Sequence, residues 1–470
     1  MAVGTCRRAL VRKQPVARPD FNTQETDPRT TTNQQQGSIN LTKHWKHILL
    51  VAPISAALVL AGCSSDKKAV DTTAAKAADT TAAKAVDTTA AKAADTTAAK
   101  AAETTAAAAA ETTAAGAAAA GAPAAGILKG VCPDVVTIQT DWNPEAEHGF
   151  LYEMVGASPV INADKKLVSG PLMASGVDTG VKVEIRSGGP AIGFQSVTSQ
   201  LYQDPNILLG FAYTDEAIQT SAKQPTMALF APFQKNPQAI MWDPATYPDV
   251  KTIADLGKTG AKVRYFSGAA YMDYFTSQGI LSKDKVDGNY DGSPALFVAD
   301  QGKSASQIFG SAEPYIYLNE VKQWLKPVKY AYINDEGWKN YAEAIATKPE
   351  NVTKNADCFK KLVPIMQQAG IDYLGNPAAA NTLILDLVKQ YNNGWVYSQG
   401  VADYAVATMK KDGLMANGTD GVYGTFDETR VADLIAKATP IYTKLGSAPK
   451  AGLKPSDIYT QQFLDLTKKL

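Results

Sequence analysis

From Val135 onward the apolar positions follow two rhythms, short β-branched runs and longer stretches with helical spacing, and their alternation predicts an α/β fold with mainly parallel sheets. Residues 135–140, 181–186 and 207–211 read as strands, with helices over 150–155, 194–203 and 215–223. Residues 226–232 and 238–242 read as extended chain leading out of this first unit. A second unit follows, with a strand at 262–266, a helix over 269–278 stopped by Gly279, a helix over 294–301 and a strand at 328–333. Beyond Thr347 the pattern is almost purely helical, with amphipathic stretches at 355–369, 379–391, 397–411 and 428–445. A helical tail without its own sheet must pack on an existing unit. The expected organisation is therefore lobe one over 127–240 plus 347–470 and lobe two over 241–346. The chain would cross near Met241 and return near 341–346, leaving a cleft between the lobes and two hinge crossings beside it.

The first 126 residues have a different character. Lys43, His44, Lys46 and His47 precede an apolar run over 48–60 that ends in Leu60-Ala61-Gly62-Cys63. A charged segment, a short apolar run and small residues at the cut point make a secretory signal, and the run is short for a membrane span. Leu-Ala-Gly-Cys resembles the bacterial lipobox, which implies lipidation of Cys63 with a palmitate-type acyl anchor and cleavage before it. An uncleaved span is the alternative, and either outcome tethers the protein to the outer face of the cell membrane. Residues 1–62 are thus leader and signal peptide, unusually long before Lys43, as an upstream misassigned start codon would produce. Residues 63–126 repeat Asp-Thr-Thr-Ala-Ala-Lys-Ala-Ala and then dissolve into Ala and Gly. With no large apolar side chain to bury, this is a low-complexity spacer that holds the folded part away from the lipid.

Composition narrows the partners. Lys plus Arg is 46 and Asp plus Glu is 46, so there is no net basic field to attract nucleic acid or an anionic membrane surface. Among the four cysteines, Cys6 and Cys63 lie in the leader and at the lipobox; the mature chain keeps Cys132 and Cys358. In an oxidising compartment these two either pair as a disulfide or remain buried thiols. Three scattered histidines and no second cysteine pair give no metal-ligand spacing, and no Walker sequence or Gly-x-Ser-x-Gly elbow occurs. The expectation is no metal, no cofactor and no enzyme.

Candidate binding residues sit where strands end, since ligands of open α/β sheets lie beyond the carboxyl ends of the strands. After the first strand come Asp141, Trp142, Asn143 and His148, an indole able to stack beside polar side chains, or else a core tryptophan and a capping histidine. Gly188 and Gly189 follow the second strand, and Tyr213 and Thr214 the third; a plain turn and an N-cap are the structural alternatives. In the second unit Ser267, Gly268 and Tyr271 open one helix, while Glu313 and Tyr315 flank Pro314 at the start of another.

These stretches carry a family likeness. Residues 136–144 with His148-Gly149, Gly210-Phe211-Ala212-Tyr213, residues 227–237 (ending in Gln-Lys-Asn-Pro), 310–315, and 452–457 with Gln462-Phe463 together resemble solute-binding proteins of bacterial ABC importers. The branch is that of nitrate, sulfonate and thiamine-pyrimidine precursors, and the likeness spans about 135–470. It implies a type II periplasmic-binding-protein (Venus-flytrap) fold, with Asp141, Trp142 and Asn143 meeting ligand from lobe one and Ser267, Tyr271 and Glu313 from lobe two. The ligand it implies is a small aromatic heterocycle, a thiamine pyrimidine precursor or a riboflavin-like molecule, or else a nitrate- or sulfonate-class solute. It also implies an extracytoplasmic, membrane-anchored monomer whose partners are a permease and its ATPase. A ligand-sensing surface lipoprotein without a permease and a pyrimidine-precursor synthase are the rivals, the latter lacking the cysteine cluster of its eukaryotic relative. The sequence departs from the branch after Met154 and between Asn376 and Gly424, where it carries long insertions.

Overall fold

In the computed structural model, which describes residues 123–470, the run Val135–Gln139 is the central strand of a seven-stranded sheet. All of its side chains after Val135 are buried, as a strand covered on both faces demands. Numbered along the chain, the strands are β1 Val135–Gln139, β2 Val160–Asn162, β3 Leu167–Ala174, β4 Val177–Arg186, β5 Ile207–Ala212 and β6 Met227–Phe230. They continue with β7 Gln238–Trp242, β8 Lys262–Arg264, β9 Val286–Asp287, β10 Ser304–Phe309, β11 Lys329–Tyr332 and β12 Ala344–Thr347.

The first sheet runs β2-β3-β4-β1-β5-β12-β6 and the second β11-β7-β10-β8-β9. β1 lies parallel to β4 and β5, whereas β12 is antiparallel to both its neighbours. The second sheet repeats the scheme, with β8 parallel to β9 and β10 and with β7 antiparallel to β10 and β11. In each sheet the strand formed directly after the chain passes over from the other runs antiparallel to both its neighbours; in the first sheet β3 does so too, as part of a hairpin ladder with β2 and β4. This is a two-lobed α/β fold with two chain passages between its sheets and a helical C-terminal region.

Both passages are short. The chain leaves the first sheet over 231–237 and comes back over 333–343. The sequence boundaries at 240 and 346 each fall inside a strand, because β7 and β12 read as connecting chain when their sheet partners are unknown. Asn236 Nδ2 donates to Asn340 Oδ1 at 2.7 Å, so the passages are bonded to each other. Arg430 clamps both, donating to the carbonyl oxygens of Gln234 (2.6 Å) and Asn340 (2.8 Å) while lying 3.7 Å over the Tyr341 ring.

The helices Ala356–Gly375, Ala378–Tyr391 and Gln399–Lys411 bury their apolar faces in the core that also holds Phe150, Phe211 and Phe230. The last helix, Glu428–Lys444, rests on Thr214–Thr220 of lobe one and on Ala270–Ser277 of lobe two. Cys132 and Cys358 form a disulfide with Cα atoms 4.7 Å apart, tying the start of the domain to the first tail helix. The segment after Met154 builds the antiparallel hairpin β2–β3, which widens the first sheet. The signal segment, Cys63 and most of the spacer lie outside the described residues, among which no helix is long and apolar enough to cross a membrane.

Candidate functional site

Where β1 ends, the backbone turns through Thr140 to Pro144 before a single 3-10 turn, Ala146–His148, runs into the helix Gly149–Glu153. Hydrogen bonds hold this loop open toward lobe two: Gly188 N–H donates to Trp142 O (2.9 Å), Gly189 N–H to Asp141 O (2.8 Å), and Thr140 Oγ1 to Trp142 O (2.9 Å). The glycines are needed for this approach. A Cβ on Gly188 would collide with the carbonyl of Thr140, and one on Gly189 (φ 55°) would stand 2.7 Å from the Trp142 ring.

The loop faces a cavity of about 440 Å³ between the two sheets. Asp141, Trp142, Glu145, Phe194, Tyr213 and Glu216 line it from lobe one, while Gln238, Phe266, Tyr290, Gln307, Phe309 and Glu313 line it from lobe two. The rings of Phe194, Trp395 and Phe266 surround Trp142 at centroid distances of 6.0, 6.1 and 6.3 Å. Phe194, 68 % exposed and held at φ 57°, stands at the mouth.

No family model matches the chain, and no curated protein matches it. Solved structures do. The periplasmic aliphatic sulphonate binding protein SsuA from Escherichia coli is 15 % identical over 71 % of this chain and 94 % of its own, with a TM-score of 0.45. The alkanesulfonate-binding protein SsuA from Xanthomonas axonopodis pv. citri, bound to MOPS, is 11 % identical over 70 % of this chain and 99 % of its own, at 0.43. The putative periplasmic sulfonate-binding protein SsuA from Methylobacillus flagellatus is 16 % identical over 70 % and 92 %, at 0.44.

The sequence candidates separate into three groups. Asp141, Trp142, Tyr213 and Glu313 share the cavity wall. Gly188, Gly189, Asn143, His148, Thr214 and Tyr271 stand behind it and hold the wall in place. Asn143 Oδ1 accepts from Asn393 Nδ2 (2.7 Å), Thr214 Oγ1 accepts from Tyr341 N–H (2.8 Å), and Tyr271 Oη donates to the lining Gln307 Oε1 (2.5 Å). Ser267, Gly268 and Tyr315 lie off the wall. Ser267 and Gly268 are exposed beyond β8, and Tyr315 packs on Tyr404 of the tail (5.8 Å), because the helix that Glu313 opens turns its third residue away from the cleft.

Several lining residues carry no local sequence signal. Trp395 arrives from the insertion between 376 and 424, docked by Nε1 on Pro144 O at 3.2 Å. Glu216 and Gln307 belong to a helix and a strand whose patterns speak only of structure.

The wall is acidic. Asp141, Glu145, Glu216 and Glu313 line it, and no lysine or arginine does so among the described residues. Burial pushes the Glu216 and Glu313 carboxyls up to about 7. Behind Asp141 the fully buried His148 packs on Phe211 at 5.0 Å, with three carboxylates around its Nε2. Burial first, and then the neighbouring carboxylates, pushes Glu145 and Glu343 well above the usual range. Glu147, raised mainly by burial, accepts a hydrogen bond from Ser311 of lobe two, a side-chain bond between the lobes at the base of the cleft.

Proposed function

We propose that this protein is an extracytoplasmic solute-binding lipoprotein, anchored through Cys63, that captures a small flat molecule bearing amino groups and presents it to an ABC permease. The observation that carries this is the composition of the interlobe cavity, a box of aromatic rings around Trp142 with carboxylates of both lobes and, among the described residues, no cationic side chain. A volume of about 440 Å³ lies in the usual range for small-molecule sites. The rings offer stacking faces, and the carboxylates accept hydrogen bonds from N–H groups or pair with a cation. An aminopyrimidine of the thiamine-precursor kind matches this chemistry. A sulfonate or nitrate matches it less well, because no lysine or arginine lines the wall among the described residues to pair with it. Ligand that bridges Asp141 or Glu216 to Glu313 binds the closed lobes better than the open ones, and that difference is what drives closure.

A thermal-shift screen of the purified chain against aminopyrimidines, flavins, alkanesulfonates and nitrate tests the assignment. Stabilisation by amine-bearing heterocycles and none by sulfonates or nitrate is the expected result. Stabilisation by the anions alone overturns it.

A further inference from the structure

Behind the cavity wall, and reaching it through Asp141 and Glu145, lies a cluster whose two innermost groups, His148 and Glu343, solute capture does not use. His148 Nε2 has Asp141 Oδ1 at 3.1 Å, Glu145 Oε1 at 3.5 Å and Glu343 Oε2 at 3.9 Å. Side-chain exposure is 0 % for His148 and Glu343 and 7 % for Glu145. Only Asp141 reaches the cavity appreciably, at 21 %. Neither lysine nor arginine pairs with any of the four among the described residues, so three carboxylates converge on one imidazole with no permanent cation to offset them.

Glu343 supplies a second observation. Both of its carboxylate oxygens are buried and make no hydrogen bond. Buried carboxylates are otherwise paired, hydrogen-bonded or bound to a metal. The residue sits at φ 50° on the return passage, immediately before β12, and its side chain comes within 3.9 Å of His148 Nε2. Ligand atoms of Asp141, His148 and Glu343 all lie within 4.8 Å of one another. Two donors held about 2.1 Å from one ion stand roughly 3.0 to 3.4 Å apart in octahedral or tetrahedral geometry. The Asp141 spacing of 3.1 Å falls in that range, Glu145 at 3.5 Å lies just above it, and Glu343 at 3.9 Å must move inward to complete the set.

We infer that Asp141, Glu145, His148 and Glu343 form a binding site for one divalent transition-metal ion, of the Zn²⁺ or Mn²⁺ class. One imidazole nitrogen with carboxylate oxygens suits those ions, whereas an all-oxygen cage would suit Ca²⁺ or Mg²⁺ and thiolates would suit Cu⁺. The ion ties the loop after β1 to the return passage and fixes the backbone that carries Trp142. The site stands whether or not the cavity carries a transported solute.

The test is metal content and affinity of the purified full chain. After treatment with EDTA and dialysis, titration with ZnCl₂ and separately with MnCl₂ should show one equivalent bound by calorimetry and by elemental analysis. The melting temperature should rise by about 5 °C with the tighter ion. Glu343→Gln keeps the shape of the side chain and should weaken metal binding at least tenfold, while Glu350→Gln, exposed on the helix Pro349–Lys354, should leave it unchanged. Co²⁺ substitution provides a reading that does not depend on a variant folding, since its visible spectrum should report mixed nitrogen and oxygen ligation that is lost in His148→Gln. Absence of stoichiometric binding of either ion, or equal affinity in wild type and Glu343→Gln, overturns the site. A failed solute screen with metal still bound would refute the transport assignment alone.

Discussion

The two lobes meet the same cavity in different ways. Lobe one presents a wall fastened from behind, with the Asp141–Trp142 backbone held by Gly188, Gly189 and Thr140 and the next two residues pinned by the tail through Asn393 and Trp395. Lobe two offers fewer restraints. Phe266 N–H donates to Gln307 Oε1 at 3.1 Å, but Ser267 and Gly268, which follow, stand exposed, and Glu313 is held chiefly by Phe309 N–H at 2.8 Å. Under the proposed capture of a solute, the contrast divides the labour between the lobes. A pre-ordered stacking face spends little conformational entropy on the ligand, while the looser face closes over it.

Gly188→Val gives the largest expected effect, because it strikes the fastening itself. The new side chain would overlap the Thr140 carbonyl and the Asp141 backbone, so the loop must move. Solute affinity should fall more than 100-fold by calorimetry, equivalent to about 3 kcal/mol, and the melting temperature should drop as well. Unchanged binding would show that the wall of lobe one is not pre-ordered. Trp142→Ala comes next and separates the ring from its support. Loss of the stacked face should cost at least tenfold in affinity, with a nearly unchanged melt because the indole faces the cavity. A collapsed melt would make Trp142 a core residue instead.

The same contrast explains what the sequence disclosed. β1, β4 and β5 were legible because each is a β-branched or apolar run whose carboxyl end meets turn residues, and that position is what singled out Asp141, Trp142 and Tyr213. β10 was not, since Ser304–Phe309 is mostly small and polar and gains its place only from neighbours β7 and β8. β12, four residues long, pairs with strands more than 110 positions earlier. The acidic cluster is hidden for a related reason. His148 and Glu343 lie far apart in the chain and meet only because the return passage runs beneath the first strand-end loop. No spacing rule reaches that distance.

Glu313→Gln probes lobe two, and its signature is a pH profile. Burial, with a contribution from the charge on Glu147, raises this carboxyl from 4.5 to about 7, despite the opposing hydrogen bond from Phe309 N–H; the Tyr290 and Tyr317 phenols also face it. A carboxyl raised on folding contributes stability that is complete below its unfolded pKa and is lost as pH rises through about 7. The apo protein should therefore lose on the order of 3 kcal/mol from this group between pH 4.5 and 8, and the variant should show a flatter melting profile over that window. Affinity for a cationic solute runs the opposite way, because only ionised Glu313 attracts it. It should increase several-fold from pH 6 to 8 in the wild type and less steeply in Glu313→Gln, where Glu216, also raised to about 7, still ionises in the cavity.

Ser267→Ala should do least. The hydroxyl is exposed beyond β8, off the cavity wall. If the open lobe-two rim stays solvated during capture, its removal should change solute affinity less than twofold and leave the melt within about 1 °C, as surface substitutions generally do. A tenfold loss would mean that lobe two swings far enough on closure to bring residue 267 onto the solute. The rim would then share the wall's role, and the division of labour between a fixed face and a closing one would have to be redrawn around a larger rotation at the Asn236–Asn340 passages.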